Sequence, residues 1–167
     1  MKKISFCLIS LLCFALIFSS CDLFDGDVTE WEAKEVINKT MEHLRDLYAL
    51  NSQGYKAGAV IARVSTPPNG KEKTIISTVE YYDLVDYKIS YKESVKFTNW
   101  SGDGSKPYMN MFGTITHECL EYEHKLNGTL KLTNSDNNVD NITMNIAIDS
   151  TGKITGTVKA DAQEFTW

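Results

Sequence analysis

The sequence is short of the residues that cross-link a fold or perform catalysis. It contains four cysteines, three histidines and three prolines in 167 residues, and three of the cysteines fall within the first 21. Beyond that point Cys119 is alone, so no internal disulfide is expected in the main part of the chain. No serine lies in a nucleophile-elbow context, and no phosphate-binding loop is present. These absences give an enzyme little support.

An excess of positive charge and long apolar runs are also missing. Lysine and arginine number 17 against 22 aspartates and glutamates, a formal net charge of −5. Since affinity for nucleic acid comes largely from neutralising phosphates, we expect no nucleic-acid partner. The longest apolar run, residues 4–18, is shorter than the roughly 20 residues that span a bilayer as a helix. Later apolar stretches are shorter still and are broken by charges, so no spanning helix is predicted.

The first 21 residues have the layout of a secretory signal, with a cationic start at Lys2 and Lys3, an apolar run and a small-residue exit. The exit, "FSSC" at residues 18–21, resembles the lipobox of bacterial lipoproteins. The resemblance implies that residues 1–20 are a signal peptide and that the sulfur of Cys21 carries a diacylglycerol. It also implies a place in the bacterial cell envelope, outside the cytoplasm, attached by lipid to the inner or the outer membrane. An ordinary cleaved signal, or an uncleaved amino-terminal anchor, is the alternative.

The segment after this cysteine is acidic. Residues 21–28 contain three aspartates and a glycine, which predicts a solvated tether kept extended by like charge. Loss of the two signal-peptide lysines lowers the net charge from −5 to −7. Residues 29–167 then suit a single domain, which at this length buries roughly two-thirds of its extended-chain surface.

A helix is predicted directly after the tether. Thr29 and Glu32 form a capping box, in which each side chain accepts a hydrogen bond from the backbone amide of the other. Apolar residues then recur at helical spacing until "NSQG" at 51–54. The apolar stripe consists of Ala33, Val36, Ile37, Met41, Leu44, Leu47 and Tyr48. Because an isolated helix of this length is marginal in water, the stripe must pack on the rest of the chain.

After Gly54 the apolar period changes from 3.6 to 2, the period of strands. The pattern puts the following groups each on one strand face: Ser77, Val79 and Tyr81; Tyr87, Ile89 and Tyr91; Ile142, Met144, Ile146 and Ile148. One-sided burial is typical of antiparallel sheets, and no second helix is available for parallel crossovers. We therefore predict an α+β fold, with the helix packed on an antiparallel meander of about eight strands that forms a curved sheet or an incomplete barrel. The alternative is a two-sheet β-sandwich with one helix.

A short repeat occurs three times within this region. "GTIT", "GTLK" and "GTVK" begin at residues 113, 128 and 156. Glycine within a strand often marks a bulge or a close approach of backbones. The repeat predicts three strands that bend at a common level, with coincidence in a threonine- and glycine-rich chain as the alternative.

The richest group of potential metal ligands is "HECLEYEH", residues 117–124. On one extended strand the odd-numbered residues, from His117 to Glu123, share a face, and the even-numbered ones, including His124, share the other. Successive positions on a face lie about 7 Å apart, too far for one straight strand to surround zinc. The same geometry keeps Cys119 out of hydrogen-bond reach of His117. We therefore predict no metal, cofactor or catalytic residue, with metal binding by a bent 117–124 segment as the open alternative.

Three functions are compatible with a lipid-anchored, β-rich domain. We expect first a non-enzymatic domain that binds an unidentified partner at the cell-envelope membrane, which predicts an exposed apolar patch. The second is a lipocalin-like carrier of a small apolar ligand, in which aromatic residues between 81 and 112 line an interior cavity. The third is an enzyme of unknown class, with polar groups converging in a cleft. The expected partners are the membrane, through acylated Cys21, and a protein or a small apolar ligand.

Overall fold

The computed structural model describes residues 28–66, 70–101, 110–133 and 139–167. The predicted signal peptide, Cys21 and the tether up to residue 27 lie outside the described residues. Val28, which the sequence assigns to the end of the tether, is 3% exposed and packs against the core. The packed part of the chain therefore includes the residue before the helix cap.

The predicted helix is confirmed. Helix α1 spans Glu30–Asn51, and a short 3-10 turn, Ser52–Gly54, follows it. The Thr29 hydroxyl accepts from the backbone amide of Glu32 (3.3 Å), and the Glu32 carboxylate accepts from the Thr29 amide (2.6 Å). The buried side chains of α1 are Ala33, Val36, Ile37, Thr40, Met41, Leu44 and Leu47. Among the described residues, no helix combines the length and the apolarity needed to cross a membrane.

The strands form one antiparallel sheet. They lie side by side in chain order, each hydrogen-bonded to the next, and the sheet stays open instead of closing into a barrel. They are β1 Val60–Ser65, β2 Lys73–Val85, β3 Lys88–Trp100, β4 Asn110–Leu120, β5 Glu123–Thr133, β6 Val139–Ile148, β7 Ile154–Ala160 and β8 Gln163–Thr166. The α+β prediction of one helix on an antiparallel meander is confirmed, and the two-sheet sandwich is wrong.

Helix α1 lies across one face of this sheet. It begins near the end of β8, where the indole Nε1 of Trp167 donates to Glu30 Oε1 (2.8 Å). It ends over β2 and β3, where the Tyr48 ring stacks on Tyr91 with 5.2 Å between centroids. One continuous core lies between the helix and the sheet, and Trp100 and Phe97 are its largest fully buried side chains. Among the described residues, no element packs on the opposite face of the sheet.

A break in register between β2 and β3 changes which residues face the helix. Past Val79 the pairing skips one residue, so Tyr82 lies opposite Tyr91 on the helix side. The predicted alternation, which put Tyr81 on the face of Val79, is wrong here because a bulge inserts one extra residue. Tyr81 lies on the outer face, where its hydroxyl donates to Glu118 Oε1 (3.3 Å).

Three strand glycines bring neighbouring backbones unusually close. Gly113, Gly128 and Gly156 have φ of +127°, +143° and +110°. A Cβ at these positions would lie 2.4, 2.6 and 2.3 Å from a carbonyl oxygen of the adjacent strand. Gly113 pairs with Leu130, whereas Gly128 pairs with Ile115, so the glycines follow a diagonal across the sheet. The three glycines therefore lie on a diagonal line and not at the predicted common level. Along this line any side chain would clash with the backbone of the next strand.

Candidate functional site

One end of the sheet exposes apolar side chains. The β2–β3 and β4–β5 turns are neighbours there, joined by an ion pair between Lys88 Nζ and Glu121 Oε1 (2.9 Å). The exposed fractions are 55% for Leu84, 56% for Val85, 99% for Tyr87 and 74% for Tyr122. We call residues 83–88 and 121–123 the hairpin end. The other large exposed apolar side chains of the described residues are Trp31, Leu50, Val60 and Val64.

Tyr87 occupies a backbone conformation that favours glycine. Asp86 and Tyr87 are the two centre residues of the β2–β3 turn, with φ of +50° and +64°. Turns of this kind prefer Asn-Gly or Asp-Gly, because both centre residues need positive φ. The left-handed region costs a residue with a side chain about 1 to 2 kcal/mol. The exposed Tyr87 ring gains nothing from packing to offset this cost, and strain of this kind is common at functional sites.

The hairpin end is acidic. Its carboxylates belong to Asp83, Asp86, Glu121 and Glu123, all of them exposed, and Lys88 is its one cationic residue. Glu121 is already paired with Lys88. The surface therefore combines exposed apolar side chains with an excess of negative charge, and we call its carboxylates the acidic rim.

The stretch predicted as one strand, residues 117–124, is a hairpin. β4 ends at Leu120 and β5 begins at Glu123, with Glu121 in the turn at a φ of +59°. This fold-back puts both histidines on the helix side of the sheet, with His117 Nε2 3.0 Å from His124 Nδ1. The predicted division of the two histidines between opposite faces is wrong, because the turn resets the alternation.

Next to the hairpin end, a buried polar cluster is centred on Glu93. The Glu93 side chain is 0% exposed, and its carboxylate accepts from the hydroxyls of Ser77 and Tyr55, the latter at 3.1 Å. Nδ1 of His117 lies 2.8 Å from the other Glu93 oxygen. With that Nδ1–H donating to Glu93, Nε2 of His117 accepts from Nδ1 of His124. One hydrogen-bonded chain thus joins β2, β3, β4 and β5.

Four tyrosines cover this cluster on the helix side. The rings of Tyr48, Tyr55, Tyr82 and Tyr91 lie with centroids 4.8 to 6.5 Å apart. Burial raises the pKa of Tyr48, Tyr55 and Tyr91 far above its usual range, and the charge of Glu93 adds to the rise at Tyr55 and Tyr91. These phenols therefore remain protonated hydrogen-bond donors.

The geometry of the cluster favours a structural role over a catalytic one. Ser77 donates to the carboxylate of Glu93, and both side chains are 0% exposed, so a substrate could not reach them without a change in packing. The Cys119 sulfur lies 3.6 Å from the backbone oxygen of Glu121, and burial raises the pKa of its thiol to about 11. In the part of the chain that the structure describes, no group of three or more His, Cys, Asp and Glu could hold a metal ion.

His124 is expected to make the folded domain less stable as the pH falls. Burial, followed by the closeness of the His117 ring and of Arg45, lowers the pKa of His124 from 6.5 to about 4. The unfolded chain therefore takes up the proton first, and stability falls between these two values by about 1 to 2 kcal/mol for a partly exposed ring. Urea unfolding of His124→Gln and of the wild type, each at about pH 7 and about pH 4.5, measures this contribution. The wild type should lose more stability than the variant.

Asp140 titrates in the same range and makes the comparison with a variant necessary. Burial, followed by the nearby Asp161, raises the pKa of Asp140 to about 6. A raised carboxyl pKa stabilises the folded state at low pH and loses that effect as the pH rises, which opposes His124. Both proteins contain Asp140, so its contribution cancels in the difference. An equal loss in the two proteins would contradict the role given to His124.

The face of the sheet away from α1 is polar. One row of register partners crosses seven strands with uncharged hydrogen-bonding side chains, Thr78, Ser94, Thr116, Asn127, Asn145, Thr157 and Thr166. A groove of about 430 Å³ on this face is lined in part by Lys92, Glu118 and Lys125. Because such groups are well hydrated when free, contact with a partner gains less here than at the hairpin end.

Of the two central residues of this region, Glu93 is not singled out in the sequence, whereas Tyr87 is assigned there to one strand face with Ile89 and Tyr91. Glu93 does carry a signal, since it occupies an inward position between Tyr91 and Val95, where a charge is rare unless it is paired. The strand assignment of Tyr87 is wrong, because the residue lies in the β2–β3 turn and only its spacing from Ile89 and Tyr91 resembles that of a strand. No protein-family model, curated protein or solved structure matches this chain.

Proposed function

We propose that this chain is a bacterial lipoprotein whose folded domain binds a partner at the cell-envelope membrane without catalysing a reaction. The hairpin end is its binding surface. The observation that carries the proposal is the side chain of Tyr87, 99% exposed at the end of the sheet where Leu84, Val85 and Tyr122 are also exposed. Apolar side chains gathered in an exposed patch mark interaction sites. Tyrosine is enriched at such sites because its rigid ring buries a large area at a small entropic cost.

The lipid anchor on Cys21 is the second part of the proposal, and the lipobox-like residues 18–21 support it. Each buried methylene contributes about 0.8 kcal/mol, so two or more acyl chains hold a protein firmly on a bilayer. The anchor lies in the inner or the outer membrane, with the domain outside the cytoplasm.

A carrier of a small apolar ligand is the second candidate, and an enzyme is the third. The carrier has less support because α1 covers the apolar face of the sheet, with Val36, Ile37 and Leu44 each 0% exposed. The enzyme has less support because the hydrogen bonds of Glu93 and His117 are made within the buried cluster.

Cys21→Ala is expected to abolish lipid attachment. In cells fed radiolabelled palmitate, the wild type should incorporate label and sediment with membranes, whereas the variant should do neither, because the acylated sulfur is gone. Cys119→Ala is the matched control, since it removes the free thiol that the structure places in the core. It should incorporate as much label as the wild type. Label that persists in Cys21→Ala, or that disappears in Cys119→Ala, would contradict the anchor.

A further inference from the structure

We propose that the hairpin end binds a protein whose surface offers an apolar recess with a cationic rim, and that the Tyr87 ring enters the recess. The choice of a protein over the anchoring membrane rests in part on the lipid anchor proposed above. Three features of the described residues lead to this partner: the strained tyrosine, the acidic rim and the direction of α1.

The first feature is the cost of keeping Tyr87 where it is. A glycine would adopt its φ of +64° without strain, yet a large ring stands there with 99% of its area exposed. Leu84 and Tyr122, at the same end of the sheet, are each more than half exposed. A central aromatic anchor surrounded by apolar contacts is the usual arrangement of an interface hot spot.

The second feature is the charge around the ring. Asp83, Asp86 and Glu123 are exposed on the two turns, and the one lysine of the hairpin end, Lys88, is paired with Glu121. Bilayers that contain anionic lipid repel such a surface, because both carry negative charge. Proteins that bind these bilayers by electrostatic attraction do so through lysine and arginine. A protein with cationic residues around an apolar recess is complementary to it.

The third feature is the position of the hairpin end relative to the anchor. The amino-terminal end of α1 contacts Trp167, whereas Tyr48, near the other end, lies against Tyr82 in the arm of the β2–β3 hairpin. At 1.5 Å per residue, Glu30 and Tyr48 are about 27 Å apart along the axis. Seven peptide units join Cys21 to Val28 and reach at most about 25 Å. A lipid anchor at Cys21 therefore does not allow the domain to stand upright on its hairpin end, because Val28 would then lie farther from the bilayer than the tether reaches.

Site-specific photo-crosslinking in intact cells tests the proposal. A photoreactive amino acid replaces Tyr122 in the full-length lipoprotein, and the cross-linked peptide is identified by mass spectrometry. We expect one protein other than this chain, cross-linked through an apolar segment with lysine or arginine close by. Cross-linking should fall at least tenfold in Tyr87→Gly, a loss typical of an interface anchor. It should also fall in Asp86→Lys and when salt is raised, because the rim charges are exposed.

Tyr87→Gly also separates binding from folding. Because glycine relieves the strained turn, the variant should unfold at the same temperature as the wild type or a few degrees higher. Trp31→Ser is the matched control, since it removes another exposed aromatic ring, 62% exposed, from the opposite end of α1. It should cross-link as well as the wild type. Loss of cross-linking together with a lower melting temperature in Tyr87→Gly would overturn the assignment of Tyr87 as an anchor.

Other occupants of the hairpin end would each give a distinct result. A cross-linked dimer of this chain identifies a second copy as the occupant. Binding of Cys21→Ala protein to phosphatidylcholine vesicles, with or without phosphatidylglycerol, identifies a lipid surface if Tyr87→Gly abolishes it. Either result, or no cross-link at all, overturns the proposed partner. Failed palmitate incorporation with an intact Tyr87-dependent cross-link would overturn the anchor and leave the partner in place.

Discussion

Glu93→Ala is expected to destabilise the folded domain by about 3 to 5 kcal/mol, a large part of the stability of a domain of this size. The substitution removes the acceptor of three hydrogen bonds, from Ser77, Tyr55 and His117. Each donor is then left buried without a partner, at about 1 to 3 kcal/mol for each group that water cannot reach. The truncated side chain also leaves a cavity in a site that is 0% exposed. Urea denaturation followed by tyrosine and tryptophan fluorescence measures the loss.

Glu93→Gln is the matched control for this prediction, because it keeps the volume and one carbonyl acceptor. We expect it to retain a substantial part of the stability that Glu93→Ala loses. Secondary structure by circular dichroism, recorded without denaturant, shows whether each variant still folds. A Glu93→Ala protein within about 1 kcal/mol of the wild type would show that the cluster is not a major source of stability.

Much of the fold follows from local signals that tertiary contacts do not override. Thr29 and Glu32 form a capping box that predicts where α1 begins, and the cap forms as predicted. The two-residue period after Gly54, with no second amphipathic helix, leaves sequential antiparallel pairing as the simplest arrangement. The observed order from β1 to β8 is that arrangement.

The prediction failed where one residue shifts the alternation. The bulge after Val79 exchanges the faces of Tyr81 and Tyr82, and no proline or glycine marks it in the sequence. The β4–β5 turn is Glu121-Tyr122, a pair that lacks the glycine or asparagine of a typical two-residue hairpin. In the sequence, the two-residue period of the strands continues through this turn without a visible break. The contact between His117 and His124 therefore could not be predicted.

The same reasoning explains why the candidate site was the least predictable part. The binding role that we propose for Tyr87 depends on its place at the centre of a turn, and that place depends on the register between β2 and β3. The register in turn depends on the bulge after Val79. Because the role of this residue depends on both the bulge and the register, which involve residues distant in sequence, no local sequence pattern predicts it.

Gly128→Ala is expected to unfold the domain or to cost it more than about 3 kcal/mol. The added Cβ would lie 2.6 Å from the backbone oxygen of Thr114 and 2.8 Å from the Cα of Ile115, so strand β4 would have to move away. Backbone gives way less readily than a flexible side chain, and β4 is hydrogen-bonded on both edges. The φ of +143° adds strain of about 1 to 3 kcal/mol for any residue other than glycine. Thermal unfolding by circular dichroism measures the effect.

Gly152→Ala separates the two parts of this cost. Gly152 has a φ of +84° in the β6–β7 turn, and nothing lies within 4 Å of the position of an added Cβ. It should therefore lose only the conformational part, about 1 to 2 kcal/mol. The excess loss in Gly128→Ala then measures the close approach of β4 and β5. If the two variants lose the same stability, strand β4 can move away from the added Cβ at little cost. The glycines of the diagonal would then be required only for their positive φ.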